Sequence, residues 1–167
     1  MNHVFISYVW ENSEIVDRLV RELRSNNIVV WLDRDNIFPG QRWRDVIRKA
    51  ISNGAYFIAC FSKEYNSRER THMNEELTLA IDELRARRSE SSWFIPVLIN
   101  QTEIPDIRIS STETLRDIHC LPLYDDWQTS IDKLSKIIRS RDESHSNNKS
   151  NKYKNSTLDK RRTRPVA

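Results

Sequence analysis

Along this chain short, continuous apolar runs alternate with longer segments in which apolar side chains return every third or fourth position. His3-Val4-Phe5-Ile6-Ser7-Tyr8, Ile28-Val29-Val30-Trp31-Leu32, Ala55 to Phe61 and Trp93 to Ile99 are rich in β-branched and aromatic residues and too short for helices. They predict strands covered on both faces, with a weaker fifth at His119 to Leu123. Between them, four segments repeat at helical spacing: Ile15, Val16, Leu19, Val20 and Leu23; Trp43, Val46, Ile47, Ala50 and Ile51; Met73, Leu77, Ala80, Ile81 and Leu84; and Trp127, Ile131, Leu134, Ile137 and Ile138. Asn12 and Ser13 stand where they can cap the first helix, and Asp125-Asp126-Trp127 where they can cap and staple the last. Pro96 removes a ladder donor from the fourth strand and places it near a sheet edge or a bulge. Strands alternating with helices imply right-handed parallel crossovers and a three-layer α/β domain. Such sheets take ligands beyond the carboxyl ends of their strands, where strand order reverses.

The chain has 167 residues, enough for one domain or one domain with a tail. Its two glycines, Gly40 and Gly54, are too few for a Gly-rich phosphate cradle, which needs several residues without a Cβ close together. Two cysteines, Cys60 and Cys120, cannot make a disulfide framework or most of a zinc site, so no metal is expected and a reducing compartment is. Cys60, inside an apolar run, reads as an inert thiol. No apolar stretch has the length of a membrane span, and no secretory leader is evident at Met1, so a soluble, cytoplasmic protein without a membrane partner is expected. The net charge of +3 invites a nucleic-acid reading, but from Ser140 onward eight Lys/Arg face three Asp/Glu, a local +5 that leaves −2 on the first 139 residues. Apolar content collapses in that segment, so residues 140–167 are expected to form a basic, solvated tail or linker. The basicity belongs there and argues against nucleic acid as the partner.

Val4-Phe5-Ile6-Ser7-Tyr8, Val30-Trp31-Leu32-Asp33-Arg34, Pro39-Gly40-Gln41-Arg42-Trp43, Phe57-Ile58-Ala59-Cys60-Phe61-Ser62 and Glu76-Leu77, in this order, resemble a Toll/interleukin receptor (TIR) domain of the bacterial kind. The resemblance covers about residues 3 to 139 and puts the domain at 1–139. It implies a flavodoxin-like fold with a five-stranded parallel sheet and helices on both faces. It also implies one of two functional classes. Some members only assemble with other TIR domains. Others hydrolyse NAD⁺, releasing nicotinamide and leaving ADP-ribose or a cyclised form, and in these a glutamate on the helix after the third strand is essential.

That helix carries Glu75 and Glu76, and its geometry separates them. At about 100° per residue, Glu75 lies roughly 180° from the mean direction of the stripe from Met73 to Leu84, while Glu76 lies roughly 80° from it. Glu75 is expected in water, and Glu76 at the border of core and solvent, where a carboxylate lines a cleft. The Glu-Leu pair also matches the family pattern with Glu76 in the catalytic place. One carboxylate suits the chemistry, since nicotinamide in NAD⁺ is already a cationic leaving group and an anion stabilises the ribosyl oxocarbenium transition state.

Candidate substrate contacts are Phe5, Ser7 and Tyr8 on the first strand and at its end, Trp10 in the loop after it, Asp33 and Arg34 at the carboxyl end of the second strand, and His72, which stands where the family often has a tryptophan. The resemblance assigns assembly to the loop after the second strand, at Ile37, Phe38, Pro39, Gly40 and Trp43. The leading expectation is therefore a cytoplasmic NAD⁺ hydrolase or cyclase in bacterial antiphage or stress signalling. It uses no cofactor, takes NAD⁺ as substrate, and is active when protomers assemble. The alternative is a non-catalytic module that binds other TIR domains, which His72 in place of tryptophan favours.

Overall fold

The computed structural model describes residues 3–32, 42–53, 55–86 and 92–140, without the side chain of Trp43. Strand β1 (His3–Ser7) leads through a single 3₁₀ turn (Trp10–Asn12) into helix α1 (Ser13–Ser25), followed by β2 (Val29–Leu32) and α2 (Trp43–Ser52). Then come β3 (Tyr56–Phe61), a short α3 (Lys63–Asn66), α4 (His72–Ala86), β4 (Phe94–Leu98), a second 3₁₀ turn (Leu115–Asp117), β5 (Leu121–Pro122) and α5 over 127–140. The strands form one parallel sheet in the order β2-β1-β3-β4-β5. This is the expected flavodoxin-like α/β architecture. Asn27, in the left-handed region at φ 59°, ends α1 and turns the chain into β2.

Successive side chains on a strand point to opposite faces, and this alternation builds the three layers. Val4, Ile6, Ile58, Cys60 and Val97 meet Val16, Leu19 and Leu23 of α1 and Ile131, Leu134 and Ile138 of α5 in one buried cluster. Phe5, Phe57, Ala59, Phe61 and Phe94 meet Ile47 and Ile51 of α2 and Met73, Leu77 and Ala80 of α4 in the other. The registers set Phe5 beside Phe57 and Phe57 beside Phe94, so three rings stack across neighbouring strands at centroid distances of 5.4 and 5.6 Å. Tyr56, pointing the other way, donates its hydroxyl to the Ile137 carbonyl at 2.9 Å and ties β3 to α5.

Pro96 sits one strand in from the β5 edge. The Ile99 N–H donates to Phe61 on β3, while the Leu98 carbonyl accepts from Leu123 on the β5 side. By alternation the nitrogen of Pro96 faces β5, whose pairing begins only at Val97. The missing donor falls just before the ladder starts. The segment between β4 and β5, read from sequence as a loop only, adds Ile104 and Leu115 to the α4-side cluster. It is fastened by Arg85, whose guanidinium donates to the Ile109 and Arg108 carbonyls at 3.2 and 2.6 Å.

Two local expectations change. Asn12 precedes α1, but its side chain makes no cap bond; it is buried and turned instead toward Ser62 and Glu64. Asp126 does cap the last helix, its Oδ1 accepting the Thr129 N–H at 3.1 Å; the Thr129 hydroxyl first, and then this backbone bond, hold its carboxyl below the ordinary range.

Candidate active site

The chain leaves β1 for β2 on one side and returns to β3 on the other, so strand order reverses between β1 and β3. At their carboxyl ends lies a cleft of about 610 Å³, within the range of small-molecule sites. One wall comes from the end of β1 and the 3₁₀ turn, with Tyr8, Val9 and Trp10. The other comes from the residues before α4 and its first turns, with Arg68, Arg70, His72, Met73 and Glu76.

Alternation sends Ser7 to the α4 face, and its hydroxyl donates to Glu76 Oε2. Both groups are interior, Ser7 wholly buried and Glu76 4% exposed. The expected placement of Glu76 at the border of core and solvent is therefore corrected. Leu79 lies about 60° from Glu76 around the helix and is buried as well, so this flank of α4 is covered by protein. The carboxylate reaches the cleft from the interior and keeps a further interaction besides the one with Ser7. Glu75 is exposed as expected and meets Arg44 of α2 at 3.2 Å.

Thr71 explains where α4 begins. Its hydroxyl accepts the Asn74 N–H at 3.1 Å, an N-cap that fixes the first turn and sets Glu76 in its second. The 3₁₀ turn that carries Trp10 is held from below by a polar cluster. Ser62 Oγ donates to Asn12 Oδ1 at 2.7 Å and accepts the Tyr65 N–H at 3.1 Å. The amides of Asn100 and Asn12 donate to Glu64 Oε2 at 2.9 and 3.2 Å. The backbone N–H of Glu64, then Asn100 and Asn12, pull its carboxyl down to about 2. Arg68 closes the frame through an ion pair with Glu11 of the same turn. Burial pushes the Cys60 thiol far up, leaving it protonated and unreactive.

Of the side chains singled out from sequence, Tyr8, Trp10, His72 and Glu76 line the cleft, with Ser7 behind Glu76. Trp10 stands 75% exposed at the rim. Phe5 does not line the cleft: it is the first ring of the aromatic stack in the α4-side core. Asp33, Arg34, Ile37, Phe38, Pro39 and Gly40 lie outside the described residues, as do the tail after 140 and the side chain of Trp43, which opens α2. Sequence reasoning missed Arg68, Arg70 and Thr71. A signal existed, since the polar run Ser67-Arg68-Glu69-Arg70-Thr71 follows the third strand, where this class of sheet takes its ligands. Among the described residues no group of three His, Cys, Asp or Glu side chains converges to hold a metal, and no helix is long and apolar enough to cross a membrane.

A parallel sheet with a cleft and a carboxylate at the reversal of strand order defines a flavodoxin-like α/β domain. The family model described as "TIR domain" matches residues 4–137, and the chain belongs to this family. A search of curated protein sequences finds no match. Among solved structures, the chain is similar to the TIR domain of the Toll-related receptor TRR-2 from Hydra magnipapillata, with 21% identity and a TM-score of 0.61 over 81% of this chain and 97% of that one. It is also similar to a metazoan TIR-STING receptor from C. gigas in complex with 2′,3′-cGAMP, with 21% identity and a TM-score of 0.60. That match covers 83% of this chain and only 39% of the receptor. A prokaryotic SEFIR domain aligns at 18% identity and a TM-score of 0.52, over 83% of this chain and 99% of that one.

Proposed function

We propose that this TIR domain cleaves the bond between nicotinamide and ribose in NAD⁺. The observation that carries the reading is the buried Glu76 carboxylate, oriented by Ser7 and opening on a cleft at the reversal of strand order. The bond between ribose C1 and the pyridinium nitrogen breaks with its electron pair returning to the ring, which departs as neutral nicotinamide. Positive charge then develops on the ribosyl carbon and ring oxygen, and a carboxylate held in a site of low dielectric stabilises it without reorganising. Water adds to C1 and gives up a proton to yield ADP-ribose; an internal nucleophile of the same molecule gives the cyclised product. Trp10, Tyr8 and His72 offer flat surfaces to the heterocycles. Assembly of protomers through the loop that follows β2, in antiphage or stress signalling in the cytoplasm, completes the reading.

The second reading, a non-catalytic module that binds other TIR domains, is favoured by one observation: the exposed His72 stands where the family often carries tryptophan. Purified protein at high concentration is incubated with NAD⁺ and nicotinamide release is measured for wild type and Glu76→Ala. Release by wild type that is lost in Glu76→Ala supports cleavage at this site. Equal release from both rejects the assignment of Glu76, and none from either under crowding favours the module.

A further inference from the structure

The cleft is electrically two-ended. Its inner wall holds the buried Glu76 carboxylate, while its lining also includes Arg68 and Arg70 on the segment that leads into α4, and Glu75, which is paired with Arg44. Arg68 is occupied by Glu11 across the rim, and among the described residues Arg70 has no ion-pair partner. Arginine facing an open cleft is the side chain best matched to phosphate oxygens, which its planar fork grips through two parallel N–H bonds.

Spacing makes the two ends complementary to one ligand. From Glu76 back to His72 the helix rises about 1.5 Å per residue, and Arg70 lies two residues further, so their Cα atoms are at most about 13 Å apart. A ribosyl group placed against Glu76 therefore brings the ester phosphate on its primary hydroxyl to the arginines. We infer that Arg70 and Arg68 form the diphosphate-binding arm of this cleft, and that the Glu11 carboxylate occupies Arg68 as an internal competitor which the ligand's diphosphate displaces. The inference rests on the reading that the cleft takes NAD⁺ and adds that the diphosphate is what holds the ligand in place. It also gives the 3₁₀ turn a second role, since Glu11 and the exposed Trp10 are neighbours on it. One bears on the phosphates and the other on a flat ring.

The test uses ADP-ribose, which carries the diphosphate and has no nicotinamide to lose, and adenosine, which has no phosphate. Binding of each is measured by isothermal titration calorimetry to wild type, Arg70→Gln, Arg68→Gln and Glu11→Gln. Wild type is expected to bind ADP-ribose at least about tenfold more tightly than adenosine, the usual worth of a charge-assisted pair. Each arginine variant should lose about five- to tenfold toward ADP-ribose while changing less than twofold toward adenosine. Glu11→Gln, which frees Arg68, should bind ADP-ribose more tightly than wild type.

The proposal is overturned if wild type binds ADP-ribose no better than adenosine or not at all, or if Arg70→Gln stays within twofold for ADP-ribose. It is equally overturned if the arginine variants weaken both probes alike, which would make the arginines scaffolding. A Glu11→Gln variant with wild-type affinity removes the competitor role. Arginine-dependent ADP-ribose binding by a protein that releases no nicotinamide would sustain this arm and sink the cleavage reading. Nicotinamide release with arginine-independent binding would do the reverse.

Discussion

Ser7→Ala removes one oxygen from the interior and tests whether the Ser7–Glu76 pair is what orients the carboxylate. Ser7 is wholly buried and Glu76 is 4% exposed, so no bulk water replaces the lost donor. A buried acceptor deprived of its partner costs about 1–3 kcal/mol, and charged groups sit toward the upper end. Glu76 keeps a further interaction, which holds the expected loss to about 1–2 kcal/mol. For a folded region of this size, 1 kcal/mol moves the melting temperature by about 4 °C, giving a drop of roughly 4–8 °C. The assay is urea and thermal unfolding followed by far-UV circular dichroism, in a double-mutant cycle with Glu76→Ala. Once the carboxylate is gone, Ser7→Ala should cost almost nothing, leaving a coupling of about 1–2 kcal/mol between the positions. Equal costs of Ser7→Ala in both backgrounds would refute the argument, because the hydroxyl would then be stabilising something other than Glu76.

Two further outcomes are expected. The folded pKa of Glu64, near 2, lies below its ordinary 4.5, so its contribution to stability is fully present above about pH 4.5 and is lost as pH falls through about 2. Glu64→Gln should therefore lose less stability than wild type between about pH 5 and pH 2, measured as urea midpoints, and parallel losses would remove Glu64 from the acid transition. Leu115→Ala opens a cavity at a fully buried position and should cost about 2–5 kcal/mol in chemical denaturation. A cost under about 1 kcal/mol would mean that the segment between β4 and β5 is a covering rather than part of the core.

The family and fold were legible in the chain because they rest on local signals. Continuous β-branched and aromatic runs such as Tyr56–Phe61 can be satisfied only by burial on both faces, and helical stripes between them force parallel crossovers. The separation of Glu75 from Glu76 was legible for the same reason, since it follows from about 100° per residue. The depth of Glu76 was not. A helical wheel has one axis and assumes water on every side the stripe does not face, whereas α4 is covered on a second flank, as buried Leu79 records. Ser7 likewise read as a strand-end hydroxyl open to substrate; its bond to a carboxylate 69 positions away exists only because β1 and α4 are packed together. Asn12, which sequence makes a helix cap, is drawn into the cluster with Ser62, Glu64 and Asn100 because three chain segments converge beneath the cleft.

By itself, then, the sequence determined which segments are the principal strands and helices, that the sheet is parallel, that the chain resembles a TIR domain, and that of the two glutamates Glu75 is the one in water. These are properties of neighbours along the chain, set by steric periodicity and the cost of leaving apolar runs in water. Only the tertiary structure decided that Ser7 meets Glu76, that Phe5 belongs to an aromatic stack, and that Arg68 and Arg70 stand on the rim facing Trp10. Each is a meeting of residues far apart in sequence, fixed by strand order and by which side of the sheet each helix covers.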